Sequence, residues 1–311
     1  MIKPPALRPG SRIALVSPAS PFARDEFDKG CAELRRLGFE PVWHDSVFDR
    51  MGFTSGPPEL RAAAFVRAWS DPSVAAVMAV RGGYGSVQLL PELEGWQPSH
   101  APKLFIGYSD NTSILTWLTG RHGLTALHGP MLDGRLARGT EGYDEQSFLR
   151  LVTGEGVGLE LAPEGLATVQ PGEESGPLFG GTLSLLCASL GTPFACDPPS
   201  GCVLFLEDVN ERPFRLHRML TQLRLAGVLG RAKAVVFGEM RGCDEEKAGV
   251  TARAIVEEFA ADLTAETGAP VLFGFPSGHT TGPCWSLPVG SRVRVRADHR
   301  PAVIVEESPV A

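Results

Sequence analysis

Lys103-Leu-Phe-Ile-Gly107-Tyr-Ser109-Asp-Asn111-Thr112 carries an apolar strand into a tight glycine turn and delivers a serine to the start of an amphipathic helix. This is the arrangement of a nucleophile elbow. It lifts the hydroxyl clear of a sheet edge and sets it beside backbone N–H groups at a helix N-terminus. The second glycine of G-x-S-x-G is absent, because Asn111 stands in its place. The motif alone is weak, and Ser109 read by itself is as well explained as a helix cap.

Outward from this stretch, strand and helix signals alternate. Residues 12–17 read as a buried strand, 24–37 as a helix closed by Gly38, 40–43 as a short strand, and 57–69 as a helix. Residues 74–80 form a continuous apolar run that suits a central parallel strand, followed by the turn Arg81-Gly82-Gly83-Tyr84-Gly85 and a helix through 90. With 104–107, 110–118 and 125–128, the pattern predicts an α/β protein whose residues 1–135 form a Rossmann-like parallel-sheet domain. Periodicity weakens over 136–165, which reads as an interdomain crossing around one helix at 145–152. Over 166–311, strands at 176–179, 202–207 and 233–238 mix with helices at 182–190, 213–225 and 247–263, before a closing hairpin of 292–296 with 302–306. A smaller, β-rich α+β C-terminal domain is expected there, rather than a second Rossmann unit.

The chain has 311 residues, 43% hydrophobic and 21% charged, with a net charge of −7. No basic stripe runs among the aromatics, which argues against nucleic acid. No apolar run approaches the roughly 18 residues of a membrane helix. The segment 1–10 lacks the apolar core of a signal peptide, so a cytoplasmic protein is expected. The six cysteines form no C-x-x-C pair and are expected as reduced thiols; Cys196 and Cys202 are the pair weighed for a disulfide. None of the seven histidines is followed by glutamate, and no Cys/His cluster has zinc spacing. Neither metal nor cofactor is expected.

A serine nucleophile needs a base, and the base needs an orienting group. His279 ends the strand-like run Pro270-Val-Leu-Phe-Gly-Phe-Pro-Ser-Gly-His279 in a Gly- and Pro-rich loop, where α/β scaffolds place functional side chains. His128 also ends a strand and is its rival, and either is as readily a hydrogen-bonded structural residue. Val203-Leu-Phe-Leu-Glu207-Asp208 delivers carboxylates to a strand end. Glu207 holds strand register and is assigned to the histidine, while Asp208 or Glu211 would cap the helix that begins near Pro213. The Gly82-Gly83 turn matches no phosphate-binding motif. It reads either as a tight connection or as an oxyanion donor paired with the N–H of Asp110.

Taken together these pieces resemble the LD-carboxypeptidases, the muramoyltetrapeptide carboxypeptidase family that also includes microcin C immunity peptidases. The resemblance is carried by Ser17-Pro-Ala-Ser20, Arg81-Gly-Gly-Tyr-Gly85, Gly107-Tyr-Ser-Asp110 and His128-Gly-Pro-Met131, with Gly180-Gly-Thr-Leu183, Leu206-Glu-Asp-Val-Asn-Glu211, Pro213-Phe-Arg215 and Gly278-His279. It implies a Ser109, Glu207, His279 triad, with oxyanion donors at Asp110 and at Gly82 or Gly83. It also implies a homodimer, and hydrolysis of the bond between an L-centre and a terminal D-alanine of a murein tetrapeptide during cell-wall recycling. Pro213-Phe-Arg215 stands closer to the tetrapeptidases than to the microcin branch.

The competing readings are an immunity peptidase that cleaves an aminoacyl-nucleotide amide, and a non-catalytic Rossmann-like ligand binder. The partner of the site is accordingly a small muropeptide, with no nucleic acid and no membrane. Arg81 is the nearest sequence candidate for the substrate carboxylate, and is equally readable as a structural ion pair.

Overall fold

In a computed structural model, which describes residues 1–311 apart from the side chain of Glu246, the chain builds two sheets. The strands are β1 (Arg12–Val16), β2 (Glu40–Val42), β3 (Val74–Ala79), β4 (Leu104–Gly107), β5 (Ala126–His128), β6 (Glu160–Leu161) and β7 (Ala167–Gln170). They continue as β8 (Gly172–Thr182), β9 (Cys202–Glu207), β10 (Ala232–Gly238), β11 (Val271–Phe275), β12 (Leu287–Val289), β13 (Arg292–Ala297) and β14 (Ala302–Val305).

The first sheet has the order β12-β5-β4-β3-β1-β2. Its strands run parallel except β12, which pairs antiparallel with β5 and places Leu287 opposite His128. The parallel centre forms because β3 and β4 are apolar on both faces, and helices cover each side. One of them, Arg24–Arg36, buries Phe27, Cys31 and Leu34. Asp25 and Glu26 lie in its first turn and Arg35 and Arg36 in its last, where each pair complements the helix dipole. On the other face, Phe65 and Trp69 of helix Pro58–Ser70 pack on Ala14, Val16 and Val77.

The second sheet has the order β6-β14-β13-β8-β9-β10-β11-β7. Short strands and a hairpin describe only its flanks. The hairpin β13–β14 pairs as expected, but β8, β9, β10 and β11 form a parallel centre. The parallel run follows from β9, buried along its whole length, with helices Leu183–Ser189, Pro213–Leu225 and Ala252–Thr267 connecting the strands. In both sheets, the parallel strands deliver their C-terminal ends to one crevice, the usual place for ligands in open α/β sheets. Thr112, just past the elbow of the first sheet, accepts a 3.1 Å bond at Oγ1 from the N–H of Thr182 at the end of β8.

Among the described residues, no helix is long and apolar enough to cross a membrane. All six cysteines are buried free thiols, Cys196 and Cys202 included.

Candidate active site

Ser109 follows β4 at φ +61°, a left-handed conformation that costs an L-residue roughly 1–2 kcal/mol. The strain is what a sharp strand-to-helix turn demands, and it presents the hydroxyl outward. Asn111, at the position of the missing glycine, is fully buried. Its Nδ2 donates to the carbonyls of Tyr108 (3.2 Å) and Arg81 (3.3 Å), fastening the elbow to the glycine turn after β3. A second tie comes from Ser86, whose N–H donates to Asp110 Oδ2 at 2.7 Å and whose hydroxyl donates to the Asp110 carbonyl.

The glycine turn comes so close that a Cβ on Gly82 would stand 2.8 Å from Ser109 Cβ and 3.4 Å from Asp110 N. Gly83 faces Ser20 instead and has φ +101°. Among the described residues, neither the Gly82 nor the Gly83 amide donates a hydrogen bond within the protein.

From the second sheet, β9 delivers Glu207 to the crevice, where it is 1% exposed. Its Oε1 accepts from the Thr182 hydroxyl. Its Oε2 lies 2.8 Å from His279 Nδ1 and accepts the His279 backbone N–H at 3.1 Å. A carboxylate only accepts, so Nδ1 carries the proton and Nε2 presents a lone pair. Nε2 lies 2.9 Å from Ser109 Oγ, across 170 residues of sequence. The hydroxyl therefore donates to the imidazole, and the imidazole donates to the carboxylate.

Burial alone would raise the Glu207 pKa, but the adjacent imidazole outweighs it and holds the carboxyl below its usual range. Burial likewise disfavours the imidazolium of His279, and Glu207 more than reverses this, leaving the pKa above 6.5. Such a line of groups can take a proton from a hydroxyl and hold the resulting cation.

The other sequence-singled residues lie apart from this line. His128 is fully buried with Nδ1 2.8 Å from Ser277 Oγ, and burial pushes its pKa down to about 4. It is a neutral structural imidazole. Arg81 forms an ion pair with Asp133 at 3.3 Å and donates to the Pro21 carbonyl at 3.1 Å. Asp208 does not cap the helix at Pro213. Its Oδ2 accepts the N–H of Ser184 at 2.8 Å, in the first turn of helix Leu183–Ser189, and Glu211 pairs with Arg215 instead. Among the described residues, no group of three or more His, Cys, Asp or Glu side chains could hold a metal ion.

Residues 13–129 match the model of the LD-carboxypeptidase N-terminal domain, and residues 175–295 match that of the C-terminal domain. The chain belongs to the LD-carboxypeptidase family. It is 32% identical to a murein tetrapeptide carboxypeptidase of Pseudomonas aeruginosa, over 86% of this chain and 88% of that protein. Among solved structures, it resembles a muramoyltetrapeptide carboxypeptidase from Oxalobacter formigenes with a TM-score of 0.83 and 28% identity, covering 96% of this chain and 100% of the other. The microcin C7 self-immunity protein MccF, solved with aspartyl sulfamoyl adenosine, shares the fold at a TM-score of 0.86, 23% identity and full coverage of both chains.

Proposed function

We propose that this LD-carboxypeptidase family member is a serine carboxypeptidase that releases the terminal D-alanine from a murein tetrapeptide. The observation that carries the reading is the continuous hydrogen-bonded line from Ser109 through His279 to Glu207. Binders need no such line. Sequence relatives named for murein carboxypeptidase activity supply the substrate class.

In the proposed reaction, Ser109 Oγ attacks the carbonyl of the L-centre while His279 Nε2 takes the hydroxyl proton. Negative charge develops on the carbonyl oxygen beside the N–H of Asp110 and the Gly82–Gly83 turn. The C–N bond breaks, and D-alanine leaves with the proton held on His279. Water then gives a proton to the imidazole and attacks the ester, releasing the shortened peptide and restoring Ser109. Glu207 holds the imidazole in the required tautomer and offsets its charge in the protonated state.

Incubating the purified chain with murein tetrapeptide should release D-alanine. A fluorophosphonate should label Ser109, and labelling should disappear in His279→Ala. Cleavage of an aminoacyl-nucleotide conjugate with no release of D-alanine would favour the immunity-peptidase reading. Absence of both labelling and turnover would leave a ligand binder. The homodimer and cytoplasmic location implied by the family belong to the same proposal. Sedimentation and cell fractionation test them.

A further inference from the structure

Ser109 rises from the first sheet, whereas Glu207 comes from the second, and His279 must meet both. His279 sits on the span between β11, in the second sheet, and β12, in the first. Its reach to Ser109 is thus a matter of how that span is held between the sheets.

Arg135 lies beyond β5, in the segment that packs on helix Arg24–Arg36, and is 5% exposed. Its Nη2 donates to the carbonyl of Gly278 at 2.8 Å and to that of Thr280 at 3.3 Å, the residues immediately before and after His279. Its Nη1 reaches the carbonyl of Gly282 at 3.2 Å. Nε donates to the phenol oxygen of Tyr108 at 3.3 Å, and Tyr108 directly precedes Ser109. The Tyr108 ring in turn stands edge-on to the His279 imidazole, 5.4 Å between centroids. A single guanidinium therefore brackets the imidazole by its backbone and touches the neighbour of the serine.

We propose that Arg135 is a positioning residue that fixes His279 within hydrogen-bond reach of Ser109 by clamping the 278–282 span against Tyr108. Arginine suits the task because its rigid planar fork spreads donors over separate nitrogens and reaches carbonyls on either side of His279 together, whereas a lysine ammonium gathers its donors on one nitrogen. The inference rests on the reading of Ser109, His279 and Glu207 as the reacting groups.

The test compares the full-length parent with Arg135→Leu and Arg135→Lys. Each is assayed for kcat and KM on murein tetrapeptide, for thermal unfolding, and for the far-downfield NMR proton of His279 Nδ1–H on Glu207. Misplacement by about 1 Å costs on the order of 10²-fold in rate. Arg135→Leu should lose kcat on that scale with KM little changed, and its downfield proton should shift or broaden. Arg135→Lys should fall between the leucine variant and the parent in both measurements.

A folded variant that keeps parental kcat and an unmoved resonance overturns the proposal, as does a kcat loss without any change in that resonance. If Arg135→Leu does not fold, Arg135→Lys decides by the same criteria. Failure of both to fold makes the guanidinium a general structural element and also overturns the proposal. The resonance separates this inference from the peptidase reading, since it reports the imidazole–carboxylate bond even in a chain that hydrolyses nothing.

Discussion

Gly278 and Glu207 meet so closely that no side chain fits between them: a Cβ on Gly278 would stand 2.7 Å from Glu207 Cδ, on a residue with φ +85°. The carboxylate can lie under the imidazole because the residue before His279 is bare. Gly278→Ala combines left-handed strain of roughly 1–3 kcal/mol with a displaced carboxylate. Its kcat should fall on the order of 10²-fold or more, while the chain still unfolds cooperatively in urea. Parental kcat in this variant would contradict the geometry.

Gly82 makes the matching approach to Ser109, where an added Cβ would stand only 3.0 Å from Oγ. Gly82→Ala should displace a backbone donor from the developing oxyanion. The expected loss is about 10²–10³ in kcat, the scale for one such donor, with KM nearly unchanged. Steady-state kinetics on the tetrapeptide, with circular dichroism as the folding control, would check it.

Thr182 alone among the described residues donates to Glu207 Oε1. Removing a hydrogen bond to a buried charge costs about 1–3 kcal/mol. Thr182→Val should therefore lower unfolding stability by that amount, and should lower kcat about tenfold if some 1.4 kcal/mol of it is felt in the transition state. Thr182→Ser, which keeps the hydroxyl, should retain most of both.

Burial and Glu207 act on His279 in opposite directions, and the net effect raises its pKa above 6.5. In the proposed reaction Nε2 must be unprotonated to accept the Ser109 proton, so activity should be lost as pH falls through this raised value. The acid limb of kcat/KM should have its midpoint above 6.5. Glu207→Gln should lower that midpoint as well as kcat, and a parental midpoint at or below 6.5 would refute the assignment.

Asp208 is buried beside Glu207, and the two causes in that order push its pKa from 3.8 up to about 6, against the pull of the Val209 and Ser184 amides. The folded state then binds this proton more tightly than the unfolded chain does. Stability from this group falls as pH rises across the window from 3.8 to about 6, and the deficit persists above it. Relative to the parent, Asp208→Asn should gain stability over the same window, because its amide oxygen can still accept from Ser184. Urea unfolding at several pH values reads the difference, and a gap independent of pH would count against it.

Local pattern displayed some of this site and concealed the rest. The elbow and the delivery of Glu207 were legible because each depends on a handful of adjacent residues: an apolar strand, then a turn. The His279 loop was legible for the same reason. Arg135 carried no local signal, because the carbonyls it holds around His279 lie 143 to 147 residues away along the chain. Thr182 was hidden likewise, for its tie to Glu207 exists only once β8 and β9 pair in register. Asn111 looked like a defect in a motif, yet it binds the elbow to the glycine turn. The parallel centre of the second sheet escaped notice because buried strands in a short apolar run do not announce their direction.

The short strand Leu287–Val289 leaves the second half of the polypeptide and completes the first sheet beside β5. The two halves are thereby buttoned together and do not behave as beads on a string. Severing the chain in the 136–165 region and producing the first fragment alone would strip β5 of its neighbour, baring unpaired amides and carbonyls of the kind that recruit other chains. Co-expressing both fragments would give that border its missing cover, so reconstitution should depend on the late segment more than on the linker that was cut.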